Sequence, residues 1–306
     1  MEKEKIELLS PKIDVVFHSL FRESNNKLTE AFISDILGEK VRIIKNLDRH
    51  LDRKEAIEKQ GIMDLRVEME DKTKCNVEIQ LKRQKNDCER FLYYLTDMYS
   101  RQLKIGEMYN SIYRCVSIVI LDYELEELKN IKDVSTVFQM RDTKTGKIIL
   151  TKKFELYIIE LPKAKRKYLE NLDDKVMQWS MFLNSPNSKE VDSIMEKNKH
   201  IKEAKTELES VSGDYEVRRL AELREKYIRD SHAEREYAIE EGLKEGMAKG
   251  MAKGMAKGMT KGMKEGLEKG RQALIKTAKN LLEMGLSIED VVKATGLTKE
   301  EVTSIR

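Results

Sequence analysis

Residues 63–69 and 75–81 each alternate apolar and polar positions, with Met63, Leu65, Val67 and Met69 in the first run and Cys75, Val77, Ile79 and Leu81 in the second. A period of two marks a half-buried strand. The polar stretch between them, Glu70-Asp71-Lys72-Thr73-Lys74, suits a hairpin loop. Pairing the apolar sets on one face gathers Asp64, Glu78 and Gln80 on the other, because a slip of one residue would turn one strand's apolar set outward. Opposite and diagonal neighbours across such a pair lie roughly 5 to 8 Å apart at Cβ, close enough for two carboxylates to grip one cation. On this alternation alone, the solvated face of a sheet is the favoured reading of the same polar residues.

Around this hairpin the pattern alternates between helix and strand. Ser10 and Pro11 are suited to the N-cap and first position of a helix running to residue 21. Residues 26–37 predict a second helix, with Leu28, Phe32, Ile33 and Ile36 inward and Gly38 ending it. A strand is expected over 41–47. Residues 85–104 form an amphipathic pattern whose stripe carries Cys88, Phe91, Leu92, Leu95, Met98, Tyr99 and Leu103. The β-branched run 114–121 reads as a strand covered on both faces, and 136–141 and 148–161 as further strands around a turn at 143–147. From residue 163 onward only helical patterns remain, and Trp179 reads as a packing anchor. The order suits a mixed sheet flanked by helices, followed by an all-helical extension.

The end of the chain has its own pattern. From Gly242 to Gly270 a glycine recurs every fourth residue, mostly as Gly-Met-Ala-Lys. Each glycine costs a helix about 1 kcal/mol against alanine, so the segment alone reads as a weak helix or a tether. Small residues at i and i+4 would also allow close pairing of two helices, and Lys249, Lys253, Lys257 and Lys261 could follow a phosphate backbone. Beyond it, residues 272–284 end at Gly285, Ser287 starts a short helix, and Thr298-Lys299-Glu300-Glu301 is a capping box for another. Two short helices around a glycine-bearing turn have a helix-turn-helix shape. Only Lys299 and Arg306 offer the last helix cations for DNA, so packing or association is the favoured role. The expected division is residues 1–165, 166–241, 242–270 and 271–306.

Composition narrows the classes. Charged residues make up 37% of the 306, yet the net charge is only +3, so any nucleic-acid contact must come from local clusters. Cys75, Cys88 and Cys115 have no CxxC spacing and read as reduced thiols. The N-terminus has no apolar signal segment and no run reaches the length of a membrane span, so the expectation is a cytoplasmic protein without membrane contact. The four histidines lie in unlike contexts with no serine or cysteine set for a triad, and no phosphate loop follows a strand.

Ile62-Met63-Asp64 followed by Glu78-Ile79-Gln80 resembles the PD-(D/E)XK nuclease signature, with Gln80 in the usual lysine position. The opening segment Pro11-Lys12-Ile13-Asp14-Val15-Val16-Phe17-His18-Ser19-Leu20-Phe21 resembles the first helix of the Rpn group, recombination-promoting nucleases also described as PD-(D/E)XK nuclease family transposases. Arg90, Tyr94, Tyr99, Gln102 and Leu103, then Ser117-Ile118-Val119-Ile120-Leu121-Asp122, and the glycine-repeat tail are similar to that group as well. The resemblance implies a restriction-endonuclease-like α/β fold and a Mg²⁺-dependent (or Mn²⁺-dependent) DNA endonuclease active in recombination or mobile-element movement. It implies Asp64, Glu78 and the Ile79 carbonyl as metal ligands, Gln80 as the group orienting water, and Asp14 as an assisting acid. Phosphodiester hydrolysis at neutral pH needs charge neutralisation at the phosphate, which one or two Mg²⁺ held by carboxylates can provide. A glutamine offers a dipole where a lysine would offer a charge; Lys82, two residues on, could supply it. DNA is the implied partner, with a second copy of the chain through the tail. The alternative is a nuclease-like fold without activity that binds DNA or a protein.

Overall fold

In the computed structural model, residues 7–21, 25–47, 65–168 and 170–305 are described. They form two compact units, Met1–Arg229 and Asp230–Arg306. The first unit opens with α1 (Asp14–Leu20), α2 (Asn26–Leu37) and β1 (Ile43–Asn46). Then come β2 (Leu65–Met69), β3 (Lys74–Gln80), α3 (Asp87–Ser100), β4 (Cys115–Leu121), β5 (Ser135–Gln139) and β6 (Phe154–Glu160). Four helices follow: α4 (Leu161–Lys167), α5 (Lys175–Asn184), α6 (Lys189–Lys197) and α7 (Lys199–Gly213). Next is α8 (Tyr215–Glu283), whose first turns pack in this unit.

The strand order is β1-β2-β3-β4-β6-β5. β3, β4 and β6 run parallel at the centre, and antiparallel neighbours flank them on both sides. The hairpin forms as its alternation requires, with Leu65 opposite Val77 and Val67 opposite Cys75. Lys72 adopts φ 68 in the turn, where Asp71 accepts hydrogen bonds from the Thr73 N–H and hydroxyl. Cys75, Val77 and Ile79 join Val116, Ile118 and Ile120 in the larger core, packed under α1, α2, α5 and α7. Phe17, Phe21, Phe32 and Trp179 make a run of ring contacts there, and the Trp179 indole donates to Asp35 at 2.8 Å. The opposite face meets α3 through Phe91, Leu95, Val119, Leu121 and Ile158. β4 is buried along its whole length, as a β-branched central strand should be.

Three local expectations shift. Ser10 does not cap α1: its carbonyl accepts from the Ile13 N–H in a preceding turn, and the helix starts at Asp14. Leu92 is 46% exposed, because the stripe of α3 narrows to Phe91 and Leu95 over the sheet. The charged stretch after residue 189 is broken at Asn198 and Asp214, whose side chains accept from the backbone N–H groups that open α7 and α8. α2, by contrast, ends at Gly38 with φ 70, in the left-handed region its sequence anticipated.

In the second unit the glycine repeat lies within α8, which stays helical through it. α9 (Ile288–Thr295) and α10 (Lys299–Ser304) follow. Their small core is Ala278, Val291, Leu297 and Val302, and the capping box closes in both directions between Thr298 and Glu301. Gly285 and Gly296 hold the positive φ values that let the chain turn. No helix among the described residues is long and apolar enough to cross a membrane.

Candidate functional site

Glu78 and Gln80 occupy alternate positions of β3, on the face covered by α3, and are 3% and 5% exposed. Asn76, 4% exposed, precedes them on the same face. This is no solvated sheet surface. Burying a carboxylate and two amides among Val119, Leu121 and Phe91 is costly unless something compensates them. Gln80 Nε2 is buried without a hydrogen-bond partner among the described residues. An orphaned donor of this kind is uncommon in folded proteins.

The backbone also fits. The Gln80 carbonyl accepts from the Asp122 N–H at 2.9 Å on the β4 side. Carbonyls alternate along a strand, so that of Ile79 points to the β2 side. Asp64 itself lies outside the described residues. The first described residue of β2 is Leu65, whose partner Val77 immediately precedes Glu78.

Asp14 opens α1 and is engaged: Arg224 of α8 donates to its Oδ2 at 2.9 Å, both side chains being largely buried. Burial pushes the Asp14 carboxyl above its usual range, while the Arg224 charge and the Val15 N–H bond pull it back. Lys12, two residues earlier, forms a 2.8 Å ion pair with Asp122 and reaches Asn184 Oδ1 at 3.2 Å. The start of α1 is thus tied to the carboxyl ends of β3 and β4, the end where Gln80 lies. Lys82 donates to the Ile228 carbonyl at 3.2 Å, so α8 holds two candidate site residues at once.

Beside them, the Tyr123 hydroxyl donates to Asp87 at 2.7 Å. Burial, the Asp87 bond and, to a smaller degree, the charge of Glu78 raise this phenol above its ordinary range. Farther along, Glu160 and Lys163 are paired in full burial, with Lys163 also donating to the carbonyls of Leu128 and Ile131. That network fastens the loop after β4 and needs no ligand to satisfy it.

Residue patterning missed Arg224, Asp122 and the pairing role of Lys12. In the sequence Asp122 stands out only as the last residue of the segment 117–122 that is similar to the Rpn group. Arg224 sits in a stretch so rich in charges that nothing distinguished it. Its contact with Asp14 sets a residue beyond position 213 beside a candidate site residue.

Among the described residues no group of three or more His, Cys, Asp or Glu could hold a metal. The donors around Glu78 are hard oxygens all the same, the set that suits Mg²⁺, which needs only one or two carboxylates from the protein. A buried Glu78, an Ile79 carbonyl turned to the β2 side and a Gln80 Nε2 without a partner among the described residues fit such an ion and a phosphate.

A six-stranded mixed sheet with helices on both faces and acidic and amide groups on a central strand defines a PD-(D/E)XK-like α/β fold with a helical extension. Residues 11–238 match the PD-(D/E)XK nuclease family transposases, and the chain belongs to that family. Residues 271–306 match the C-terminal helix-turn-helix domain of the Rpn/YhgA-like nuclease family. No curated protein and no solved structure matches the chain.

Proposed function

We propose that the chain is a Mg²⁺-dependent DNA endonuclease acting in recombination or mobile-element movement. The observation that carries this reading is the buried Glu78–Gln80 pair with its unpartnered amide, set on the central strand of a nuclease-family fold. The strand alternation of the sequence predicts Asp64 on the same face as Glu78. Asp64, Glu78 and the Ile79 carbonyl would hold the ion, which when bound neutralises charge on the phosphate and activates water.

The chain's own groups do the rest. Gln80 Nε2 donates to a phosphate oxygen or to the attacking water and so fixes its direction. Asp14, kept in place by Arg224, faces the same end of the sheet as an acceptor for a proton or a water. α3 excludes bulk solvent from the inner side of Glu78, which strengthens each of these interactions. The helix-turn-helix at 271–306 contributes DNA affinity, and α8 pairs with a second copy, giving two cutting sites. In this reading residues 1–165 form the nuclease-like domain, 166–241 its helical extension, 242–270 the glycine repeat and 271–306 the helix-turn-helix element.

Supercoiled plasmid incubated with Mg²⁺ or with EDTA tests the reading. Nicking should require the metal and disappear in Asp64→Ala and in Glu78→Ala, each shown to be folded by its melting curve. Nicking that persists in both variants removes these residues from the site. A wild type that never nicks favours the alternative, an inactive nuclease-like fold that binds DNA or a protein, for which glutamine in place of lysine at position 80 is the motivating feature.

A further inference from the structure

A cavity of about 210 Å³ lies on the same sheet face, between β2–β4 and the last turns of α3. Its floor is Asn76 and Ser117, partners across β3 and β4, 4% and 2% exposed. Further along β4 that face turns apolar at Val119 and Leu121. The cavity thus lies over the part of β4 where that face is polar, although burying such groups has a cost. Its walls carry Arg66, Lys74 and Arg101 against a single acid, Asp97. Arg101 bonds Asp97 at 2.6 Å, and Arg66 Nε donates to Asn76 Oδ1 at 3.1 Å. Lys74 is half-buried and its ammonium makes no ion pair among the described residues. Glu68, its cross-strand neighbour, pairs instead with Lys72 at 3.3 Å, and a recess with a polar floor and cationic walls has the chemistry of a phosphate site.

Its position says which phosphate. Asn76 and Lys74 stand two and four residues before Glu78 on one strand face, roughly 7 and 13 Å away at 3.3 Å per residue. Successive phosphates of one strand advance about 3.4 Å along the helix axis and also wind around it, so a strand with one phosphate at Glu78 can present a neighbouring phosphate to this recess. We propose that the Lys74–Asn76–Ser117–Arg101 recess binds a non-scissile backbone phosphate of the nucleic-acid substrate. The assignment rests on the nuclease reading for its orientation, but it can be measured without any cleavage.

The experiment is fluorescence polarisation of a labelled DNA duplex with the full chain in EDTA, over a series of salt concentrations. The wild type is compared with Lys74→Gln, Arg101→Gln and the double variant, with melting temperature as the fold control. Arg101 is largely exposed, so its substitution is safe for folding even if that of Lys74 is not. The double variant should bind about ten-fold more weakly at moderate salt, with a salt slope shallower by about one for each lost contact. Unchanged affinity and slope in folded variants would overturn the proposal even if the wild type cuts DNA. A wild type that binds but does not cut, with the same loss in the variants, would uphold the recess while refuting the nuclease reading. Inorganic phosphate is the control for a free anion. If it raises the melting temperature of wild type but not of the variants while DNA affinity is equal in all, the recess serves a free anion and the proposal fails.

Discussion

Single residues decide the chemistry, and Gln80 is the most exposed to test. Its amide nitrogen is buried and has no partner among the described residues, at the position where the family signature has lysine. Gln80→Lys should keep or raise the cleavage rate, because a charge suits the phosphate better than a dipole. Gln80→Ala should slow single-turnover cleavage without abolishing metal binding. Wild-type cleavage by Gln80→Ala would take Gln80 out of the site. Arg224 makes a second case. It offsets the burial that raises the Asp14 carboxyl, so Arg224→Ala should raise that carboxyl further. An acid with a raised folded-state pKa lends most stability while protonated and loses it as pH climbs through that value. Arg224→Ala should therefore destabilise more near neutrality than in mild acid, and should move the acid limb of the cleavage profile to higher pH. An unmoved limb would mean Asp14 takes no part as an ionised group. Glu78 and Gln80 were legible in the sequence because alternation on one strand is a local pattern. Arg224 was not, because its partner lies at the far end of the chain and no periodicity links them. Asp64 was legible as a motif residue, and its geometry lies outside the described residues.

Elements show where local pattern suffices and where packing overrides it. The hairpin, α2 with Gly38 and the Thr298–Glu301 box formed as read, each specified by contacts only a few residues apart. Ser10 and Pro11 carried a good start signal, yet the turn at Ser10–Ile13 moved the start of α1 and sent Lys12 to Asp122. Burial also sorts the cysteines. Cys75 is pushed up to about 12 and Cys115 to about 11, both buried, whereas Cys88 on α3 is partly exposed. A thiol reagent near pH 8 should titrate one cysteine in the native chain and three after denaturation. Three fast-reacting thiols in the native state would contradict the packing of β3 against β4. The glycine repeat can be tested in the same spirit. Nothing lies within 4 Å of a Cβ built at Gly250, Gly254 or Gly258, so alanine at each should stabilise the helix by about 1 kcal/mol. Circular dichroism would register the gain. Light scattering would show weaker self-association if the glycines serve close pairing of copies.

At the scale of the whole molecule Glu78 and Gln80 lie toward the carboxyl end of β3, and the helical extension returns to that end. α8 reaches Asp14 through Arg224 and Lys82 through Ile228. A chain ending at Arg229 should consequently retain the chemistry, whereas one ending at Gly213 should lose most of it. The shorter chain cutting as well as the full one would show that α8 is not part of the site. Removal of residues 230–306 should instead lower DNA affinity and self-association, shifting plasmid products from linear toward nicked. The central claim is that Asp64 and Glu78 share one cation. Electron paramagnetic resonance of added Mn²⁺ measures this directly, because the free-ion signal falls as the protein takes the metal up. Wild type should remove Mn²⁺ from solution, and folded Asp64→Asn and Glu78→Gln should each leave it free. Equal uptake by the wild type and both variants would contradict the account.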